Sequence, residues 1–497
     1  MKFGHRLLLG IVLGSAATGA IAACVGDEPV VSATDGDPDA TSSSDGGSTE
    51  HEATTQTEGG GDASKDTSKD TSTPPGDTGT ADAQTGCAAR TVNDTTGVFV
   101  ASSGNDVSGC GSRSNPCKTL TYTFAGGAQL SGKTVAYVAS GTYNESIQLI
   151  AGLSVEGGWM ATGSIWSPIC DATTSTAVTL HGTTNTTITA SYNGTTTLRN
   201  VQVTSKASVG AGESVYGIFA TGGSTNLTLD QVVVAVAAGG AGANGADGGA
   251  ATNASGTCSA GNGAAGSTGP NGQGAVAGSF DPSGYTASNG AAATNATAGA
   301  NGTAGGSGSC ATCQTFAGSC PNSCGFGSAT LCGATGTSGC GGGPGGGGAG
   351  GHGGGSSVAV YVWGAHVTTF GGNLSSGNGG YGGNGGEGAS GGTPSAGAAG
   401  AAKSCPTQLS NPSCFLSQCS GTLVSETTLN GGSAGGSGGT GGAGGHGGGG
   451  AGGFSYAIYV GADGGATLNG GTTLAHGDAG AGGAVNGVPG QAADRFP

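Results

Sequence analysis

Residues 197–204 read TLRNVQVT, and a related segment, TLDQVVVA, follows at residues 228–235. In both segments aliphatic side chains alternate with polar ones, which is the pattern of a strand with one buried face. The offset of 31 residues (228 − 197) places Leu198 over Leu229 and one amide side chain over another. An offset of this length suits one turn of a parallel β-helix, with stacked aliphatic side chains inside and amides near a corner. The two segments therefore predict an all-β solenoid.

A second set of related segments is spread more widely along the chain. It comprises Ser214–Ala220, Ser357–Trp363 and Ser455–Gly461, at offsets of 143 and 98 residues (357 − 214 and 455 − 357). Neither offset is the length of one turn, so each gap is expected to hold one turn plus a long insertion. The resulting division is N-terminal turns at 87–237, insertions at 238–355 and 376–453, a turn at 356–375, and a C-terminal turn and tail at 454–497.

The two insertions hold most of the 115 glycines. Residues 435–453, GGSGGTGGAGGHGGGGAGG, have two glycines in most triplets, and the whole chain has 15 prolines, which excludes collagen. Two interpretations stay open. One is a flexible linker; the other is an array of polyglycine-II helices with three residues per turn, where glycine lets neighbouring backbones pack closely. The length of the insertions argues against the linker, because two turns of one solenoid are close together. The conformational entropy that glycine loses on ordering argues against the array.

The first 23 residues have the features of a secretion signal. Lys2 and Arg6 precede an apolar segment, Leu7–Leu13, that is too short to span a bilayer. Residues Ile21–Cys24 resemble the lipobox of bacterial lipoproteins, which implies cleavage before Cys24 and a lipid anchor that makes the membrane a partner. A plain cleaved signal peptide is the alternative. The residue after the cysteine is not aspartate, and by resemblance to enterobacterial sorting this favours the outer membrane.

Residues 24–86 are predicted to be a disordered acidic tether. They contain almost no large apolar side chains, and half of the 28 acidic residues lie between Asp27 and Asp82. Such a composition cannot bury enough surface to offset the entropy of ordering. The net charge of −16 therefore belongs mainly to this segment and gives no support to nucleic acid as a partner.

Fourteen cysteines remain after Cys24 (15 − 1), an even number suited to disulfides in an exported protein. Turn residues between Cys110 and Cys117 predict a bridge between these two, which leaves Cys87 for Cys170. The first insertion holds seven of the other ten and the second holds three, so at least one bridge should join the insertions. The connectivity of these ten is open: Cys258, Cys310, Cys313, Cys320, Cys324, Cys332, Cys340, Cys405, Cys414 and Cys419.

A four-thiolate zinc site is an alternative for Cys310, Cys313, Cys320 and Cys324. The gap between the two pairs is short for tetrahedral convergence, and no histidine is close in sequence. We therefore predict disulfides here, with no metal and no cofactor in the protein.

Four segments resemble the opening turns of the pectin-lyase-like superfamily of right-handed parallel β-helix proteins. The resemblance implies a right-handed parallel β-helix with glycine-rich insertions, and the insertions themselves resemble the PGRS-type repeats of bacterial surface proteins in composition. The four segments are Gly97–Asp106, Asn115–Leu120, Val138–Glu145 and Val155–Trp159.

The catalytic residues of that superfamily are not visible in the sequence. Its lyases and hydrolases need clustered carboxylates, whereas after residue 86 no two acidic residues lie within three positions of each other. Gly-His-Gly at 351–353 and 445–447 matches a polygalacturonase motif, but the partner residues are missing and each histidine lies inside a glycine-rich repeat.

We therefore expect a non-catalytic surface lipoprotein with a structural or adhesive function. Tyr361, Trp363 and Tyr459 are candidates for contact with polysaccharide, or alternatively core-filling aromatics. A polysaccharide lyase or glycoside hydrolase is the first alternative function. An ice-binding surface is the second, from the threonine-rich segment 183–197 and the glycine-rich repeats. The sequence predicts no oligomeric state.

Overall fold

A computed structural model describes residues 90–170, 174–320, 323–415 and 417–497. The predicted signal peptide, Cys24, the predicted tether and Cys87 lie outside the described residues. The described protein is all-β, with one short helix, α1 (Leu120–Tyr122), that continues into a π-helical turn at Thr123–Gly127. No helix in these ranges is long and apolar enough to cross a membrane.

The strands are numbered in chain order. The first thirteen are β1 (Gly97–Val100), β2 (Val135–Ala139), β3 (Gly141–Asn144), β4 (Ile147–Gln148), β5 (Ser154–Thr162), β6 (Ile165–Pro168), β7 (Val178–His181), β8 (Thr186–Ala190), β9 (Gly194–Arg199), β10 (Gln202–Thr204), β11 (Val215–Thr221), β12 (Thr225–Asp230) and β13 (Val233–Ala235). The others are β14 (Thr257–Cys258), β15 (Ser279–Asp281), β16 (Gly284–Thr286), β17 (Cys310–Ser319), β18 (Ser323–Cys332), β19 (Ser338–Gly339), β20 (Ser357–Trp363), β21 (His366–Phe370), β22 (Asn373–Ser375), β23 (Lys403–Phe415), β24 (Gln418–Leu429), β25 (Ser455–Gly461), β26 (Gly465–Asn469), β27 (Thr473–Ala475) and β28 (Ala492–Phe496).

Most strands lie in three parallel sheets. The first has the order β1-β2-β5-β9-β12-β21-β26, with β6 antiparallel beside β5. The second is β27-β22-β13-β10-β7-β3, and the third is β28-β25-β20-β11-β8-β4. From β2 onward the chain passes from the first sheet to the second and then to the third, and it repeats this order on every pass. Aliphatic side chains from all three sheets form one buried cluster, which includes Val138, Val155, Leu198, Leu229, Val203, Val234, Ile218, Val360, Val367 and Ile458.

The 31-residue repeat has the predicted register, since Leu198 pairs with Leu229. Asn200 and Gln231 form the corner between the first and second sheets, with φ values of 52° and 54°. This left-handed conformation is uncommon outside glycine and is best tolerated by residues such as asparagine. Gly371, with a φ of 66°, occupies the same corner on the next pass.

The 143-residue offset is wrong by one residue. Phe219 pairs with Tyr361 and Ile218 with Val360, an offset of 142 (361 − 219). A shift of one residue reverses the face to which each side chain points. The observed register places Ile218 and Val360 together in the core, where both are 0% exposed. The 98-residue offset is the register in which β20 pairs with β25.

The connections from the second sheet to the third carry the glycine-rich segments. Hydrogen bonds between these segments recur every three residues: Gly345 donates to the carbonyl of Gly442 at 3.0 Å, and the same pairing repeats three and six residues further on. Three residues per turn is the period of a polyglycine-II helix. The segments are therefore an ordered array rather than a flexible linker. We call them tract 1 (239–255), tract 2 (260–277), tract 3 (287–308), tract 4 (333–356), tract 5 (376–402), tract 6 (430–454) and tract 7 (476–491).

The number of neighbours explains where glycine is obligatory. Tracts 1, 5 and 7 are bonded side by side in one row, tracts 4 and 6 form a second row, and tracts 3 and 2 form a third. Tract 6 is hydrogen-bonded to five other tracts and tract 4 to four. A Cβ added at Gly444 in tract 6 would lie 1.9 Å from the carbonyl oxygen of Gly346. The two central tracts therefore need two glycines in most triplets, whereas peripheral tracts tolerate more alanine, asparagine and threonine.

Asparagine side chains complete the hydrogen bonding of the array. The Oδ1 atoms of Asn289, Asn295 and Asn301 in tract 3 each accept a backbone N–H of tract 4, at 2.8–3.2 Å. The three asparagines are six residues apart, which is two turns of a three-residue helix. Side chains thus serve as acceptors for N–H groups that would otherwise lack a protein partner.

Candidate functional site

Tyr361, Trp363 and Tyr459 lie on the outer face of the third sheet. Phe219, Tyr361 and Tyr459 stack on successive strands, with ring centroids 4.6 and 5.2 Å apart. Trp363 stacks beside Tyr361 at 6.3 Å. The predicted residues are therefore brought together, in a ladder of aromatic rings.

A hairpin from the first insertion covers this aromatic ladder. Phe280 of β15 lies 4.0 Å from the ring of Tyr459, and the hydroxyl of Tyr361 donates to the carbonyl of Asp281. Tyr361 is 0% exposed and Tyr459 is 7% exposed, which contradicts their predicted contact with polysaccharide and agrees with the core-filling alternative. Trp363 is half-buried. Burial raises the pKa of Tyr361 above its usual range and, with the neighbouring Tyr216, raises the pKa of Tyr285 to about 12.

Several carboxylates in the first half of the described chain have structural partners. Glu145 is buried, and its two oxygens accept the backbone N–H groups of Leu120 and Thr121 at the start of α1. Glu156 pairs with Arg90 at 2.8 Å. Within the described ranges, the one group of three or more His, Cys, Asp or Glu residues with converging ligand atoms consists of four cysteines.

The histidines of the two Gly-His-Gly motifs are members of the array. The backbone N–H of His352 donates to the carbonyl oxygen of Ala243 in tract 1. The backbone N–H of His446 donates to Oδ1 of Asn271 in tract 2, and its Nδ1 lies 2.7 Å from Oε2 of Glu387. Each histidine occupies the non-glycine position of its triplet, as its neighbours alanine, threonine and serine do.

The described disulfides lie in the N-terminal turns and in the two insertions. Cys110 is bonded to Cys117, with Cα atoms 5.0 Å apart. Cys170 is disulfide-bonded, and its predicted partner Cys87 lies outside the described residues. Three of the five further bridges join the first insertion to the second, which meets the prediction of at least one. The five are Cys258–Cys340, Cys310–Cys332, Cys313–Cys405, Cys320–Cys414 and Cys324–Cys419.

The four cysteines of the alternative zinc site are not brought together as one set. Cys310 pairs with Cys332 across the hairpin β17–β18, and Cys313 pairs with Cys405 of the neighbouring hairpin β23–β24. Cys320 and Cys324 instead lie beside Cys414 and Cys419, and the four sulfurs are all within 4.8 Å of one another.

The row of tracts 1, 5 and 7 presents an exposed surface of regularly spaced side chains. Tyr381 of tract 5 is 64% exposed, and the exposed Asn378 and Asn384 lie three residues before and after it. Three residues of such a helix advance by about 9 Å. Tyr381 is not among the residues predicted from the sequence, because it occupies one variable position in a glycine-rich repeat. The signal in the sequence was that Tyr381 is a large aromatic residue far from the apolar segments that form the strands of the solenoid.

A column of threonines lies on the outer face of the first sheet. Thr197 pairs with Thr228, Thr228 with Thr368, and Thr368 with Thr467, on four successive strands. Their neighbours Leu198 and Leu229 point into the core, so the threonines point outward. Of the predicted threonine-rich segment 183–197, Thr197 is the residue that joins this column.

No family model, curated protein or solved structure matches this chain. The resemblance to the pectin-lyase-like superfamily therefore rests on the sequence motifs alone. The structure agrees with it at the level of an all-β fold with several parallel sheets.

Proposed function

We propose that the protein is a non-catalytic cell-surface lipoprotein in which a right-handed parallel β-helix carries an ordered glycine-rich array. The repeated passage through three parallel sheets supports the helical winding. The lipobox-like segment ending at Cys24 and the acidic segment 24–86 support anchoring in the outer membrane and display away from it. In this proposal the β-helix is the support and the array is the displayed surface.

The observation that carries this function is the exposed row of tracts 1, 5 and 7. It combines one exposed aromatic ring, Tyr381, with amide side chains spaced at regular intervals. An aromatic face is suited to stacking on a sugar ring. The Oδ1 atoms of Asn378 and Asn384 accept N–H groups of tract 7, so their NH2 groups are the donors offered to sugar hydroxyls. Asp247, Glu387 and Asp478 are exposed on the same row, so an acidic polysaccharide would be repelled. A neutral polysaccharide is the partner proposed.

A glycan array with a parallel degradation assay tests this proposal. Retention of a neutral polysaccharide without cleavage is the expected result. Cleavage would favour the polysaccharide lyase or glycoside hydrolase instead, and no binding to any glycan would contradict the adhesive function.

Ice binding is a second candidate because the threonine column repeats from strand to strand. Strands in a sheet are about 4.8 Å apart, so the four hydroxyls form a regular outward row. Against it, the ion pair between Arg199 and Asp230 lies on the same sheet face. Thermal hysteresis of the full chain should disappear in Thr228→Lys if the column binds ice, and its absence in the unmodified protein would exclude this candidate.

A further inference from the structure

Four cysteine sulfurs converge at the tips of two neighbouring hairpins. Cys320 and Cys324 lie at one end of the hairpin β17–β18, and Cys414 and Cys419 are paired near one end of the hairpin β23–β24. The four sulfurs lie within 4.8 Å of one another, although each disulfide uses only two of them. Cys324 Sγ lies 3.2 Å from Cys414 Sγ, to which it is not bonded.

We propose that these four cysteines, when reduced, bind one thiophilic d10 cation such as Zn²⁺. The two cysteine pairs have three and four residues between their members, which is the spacing of structural zinc sites, and each pair belongs to its own hairpin. A tetrahedron with zinc–sulfur bonds of about 2.3 Å has sulfurs roughly 3.8 Å apart. Cys320 Sγ and Cys324 Sγ are already 3.8 Å apart, so the hairpin tips need little rearrangement to enclose the ion.

The hairpins are held in place independently of this quartet. The bridge between Cys313 and Cys405 joins them further from the tips, and both of its cysteines are 0% exposed. In the quartet Cys414 is exposed and the other three are half-buried. A small reductant therefore has access to the tips before it reaches the buried bridge.

The chemistry requires an external dithiol as the reductant. Two equivalents of dithiol reduce the two disulfides to four thiols, and the dithiol is oxidised to two disulfides. The cation then binds four thiolates, and the four protons are released to solvent. The two insertions thus remain joined at this end in either redox state, by two disulfides when oxidised and by one cation when reduced.

Cobalt(II) added to the full chain after dithiol treatment and anaerobic removal of the reductant tests the site. The expected result is one ion per chain with the visible absorption of tetrahedral thiolate coordination, displaced by Zn²⁺, and four thiols protected from alkylation. Cys414→Ser/Cys419→Ser should abolish the absorption. Cys310→Ser/Cys332→Ser should retain it, because it removes two nearby cysteines outside the quartet.

Circular dichroism of each protein shows whether the array remains folded after reduction. Absence of thiolate absorption in the folded, reduced protein would overturn the proposal, and so would absorption that persists in Cys414→Ser/Cys419→Ser. Unfolding of the array on mild reduction would overturn it as well, because the proposal requires the other contacts to hold the hairpins together.

Discussion

The backbone N–H of Asn384 donates to the side-chain Oδ1 of Asn244 at 2.9 Å, across 140 residues of sequence. Asn384 in turn accepts the N–H of Ala484 through its own Oδ1 at 2.8 Å. One turn further along, Asp247 accepts the N–H of Glu387 at 2.9 Å. Side-chain acceptors therefore connect tracts 1, 5 and 7 in series and fix their register.

Asn244→Ala should weaken this connection, whereas Asn244→Asp should preserve it. Alanine leaves the N–H of Asn384 to water at a cost of about 1 kcal/mol, while aspartate retains an acceptor oxygen, as Asp247 does naturally. Hydrogen exchange at the amide of Asn384 should be faster in the alanine variant than in the aspartate variant. Equal exchange in both would show that the side chain does not hold the register.

Gly444→Ala should destabilise the array, because the new Cβ would lie 1.9 Å from the carbonyl oxygen of Gly346. Relieving this clash requires a shift of the backbone, which is held by the hydrogen bonds of the array. Overpacking of this kind costs about 1–3 kcal/mol. Gly249→Ala is the matched control in tract 1, where an added Cβ has no atom within 4 Å. Gly444→Ala should have a midpoint of thermal unfolding well below that of Gly249→Ala. Similar midpoints for the two variants would contradict the close packing of tract 6.

Tyr285, on the hairpin that covers the aromatic ladder, should make the protein sensitive to alkali. Burial raises the pKa of Tyr285 to about 12, against 10.0 for a free tyrosine, so the unfolded chain loses this proton first as pH rises. The free energy of unfolding should therefore be unaffected by this group below about pH 10 and should fall as pH rises towards 12. Tyr285→Phe should reduce that fall in denaturant titrations, and an unchanged pH dependence would assign the effect to other groups.

Tyr381→Ala should remove most of the proposed binding to neutral polysaccharide without changing stability, because the ring is 64% exposed. Phe370→Ala removes another exposed aromatic, on the first sheet, and should leave binding unchanged. Affinity electrophoresis of the two variants compares them directly. Equal retention of both would place the proposed contact elsewhere.

The register of β9 and β10 against β12 and β13 could be predicted because its signals are local. Leu198 and Leu229 belong to similar segments a single turn apart, with an amide residue at the corner of each. The pairing of Phe219 with Tyr361 was misplaced by one residue because the two strands share only an apolar composition. The face to which each of their side chains points depends on how the complete turn of the solenoid packs against the core.

The array and the cysteine quartet could not be derived from the sequence. Each tract is stabilised by carbonyls and asparagines far away in the chain, such as Asn271 for the N–H of His446. A single tract has no pattern that distinguishes an ordered helix from a linker. The cysteines at the hairpin tips meet because tracts 4 and 6 are adjacent, so their pairing follows from the array.

The three-residue step of the array also restricts how its length can change during evolution. An insertion of one or two residues in a tract would turn every later side chain towards the wrong neighbour. Three residues added to tract 5 alone would displace its partners in tract 6 by a full step. Viable insertions and deletions should therefore come in multiples of three, balanced between an outgoing tract and its return, with the hairpins moved outward or inward as a unit.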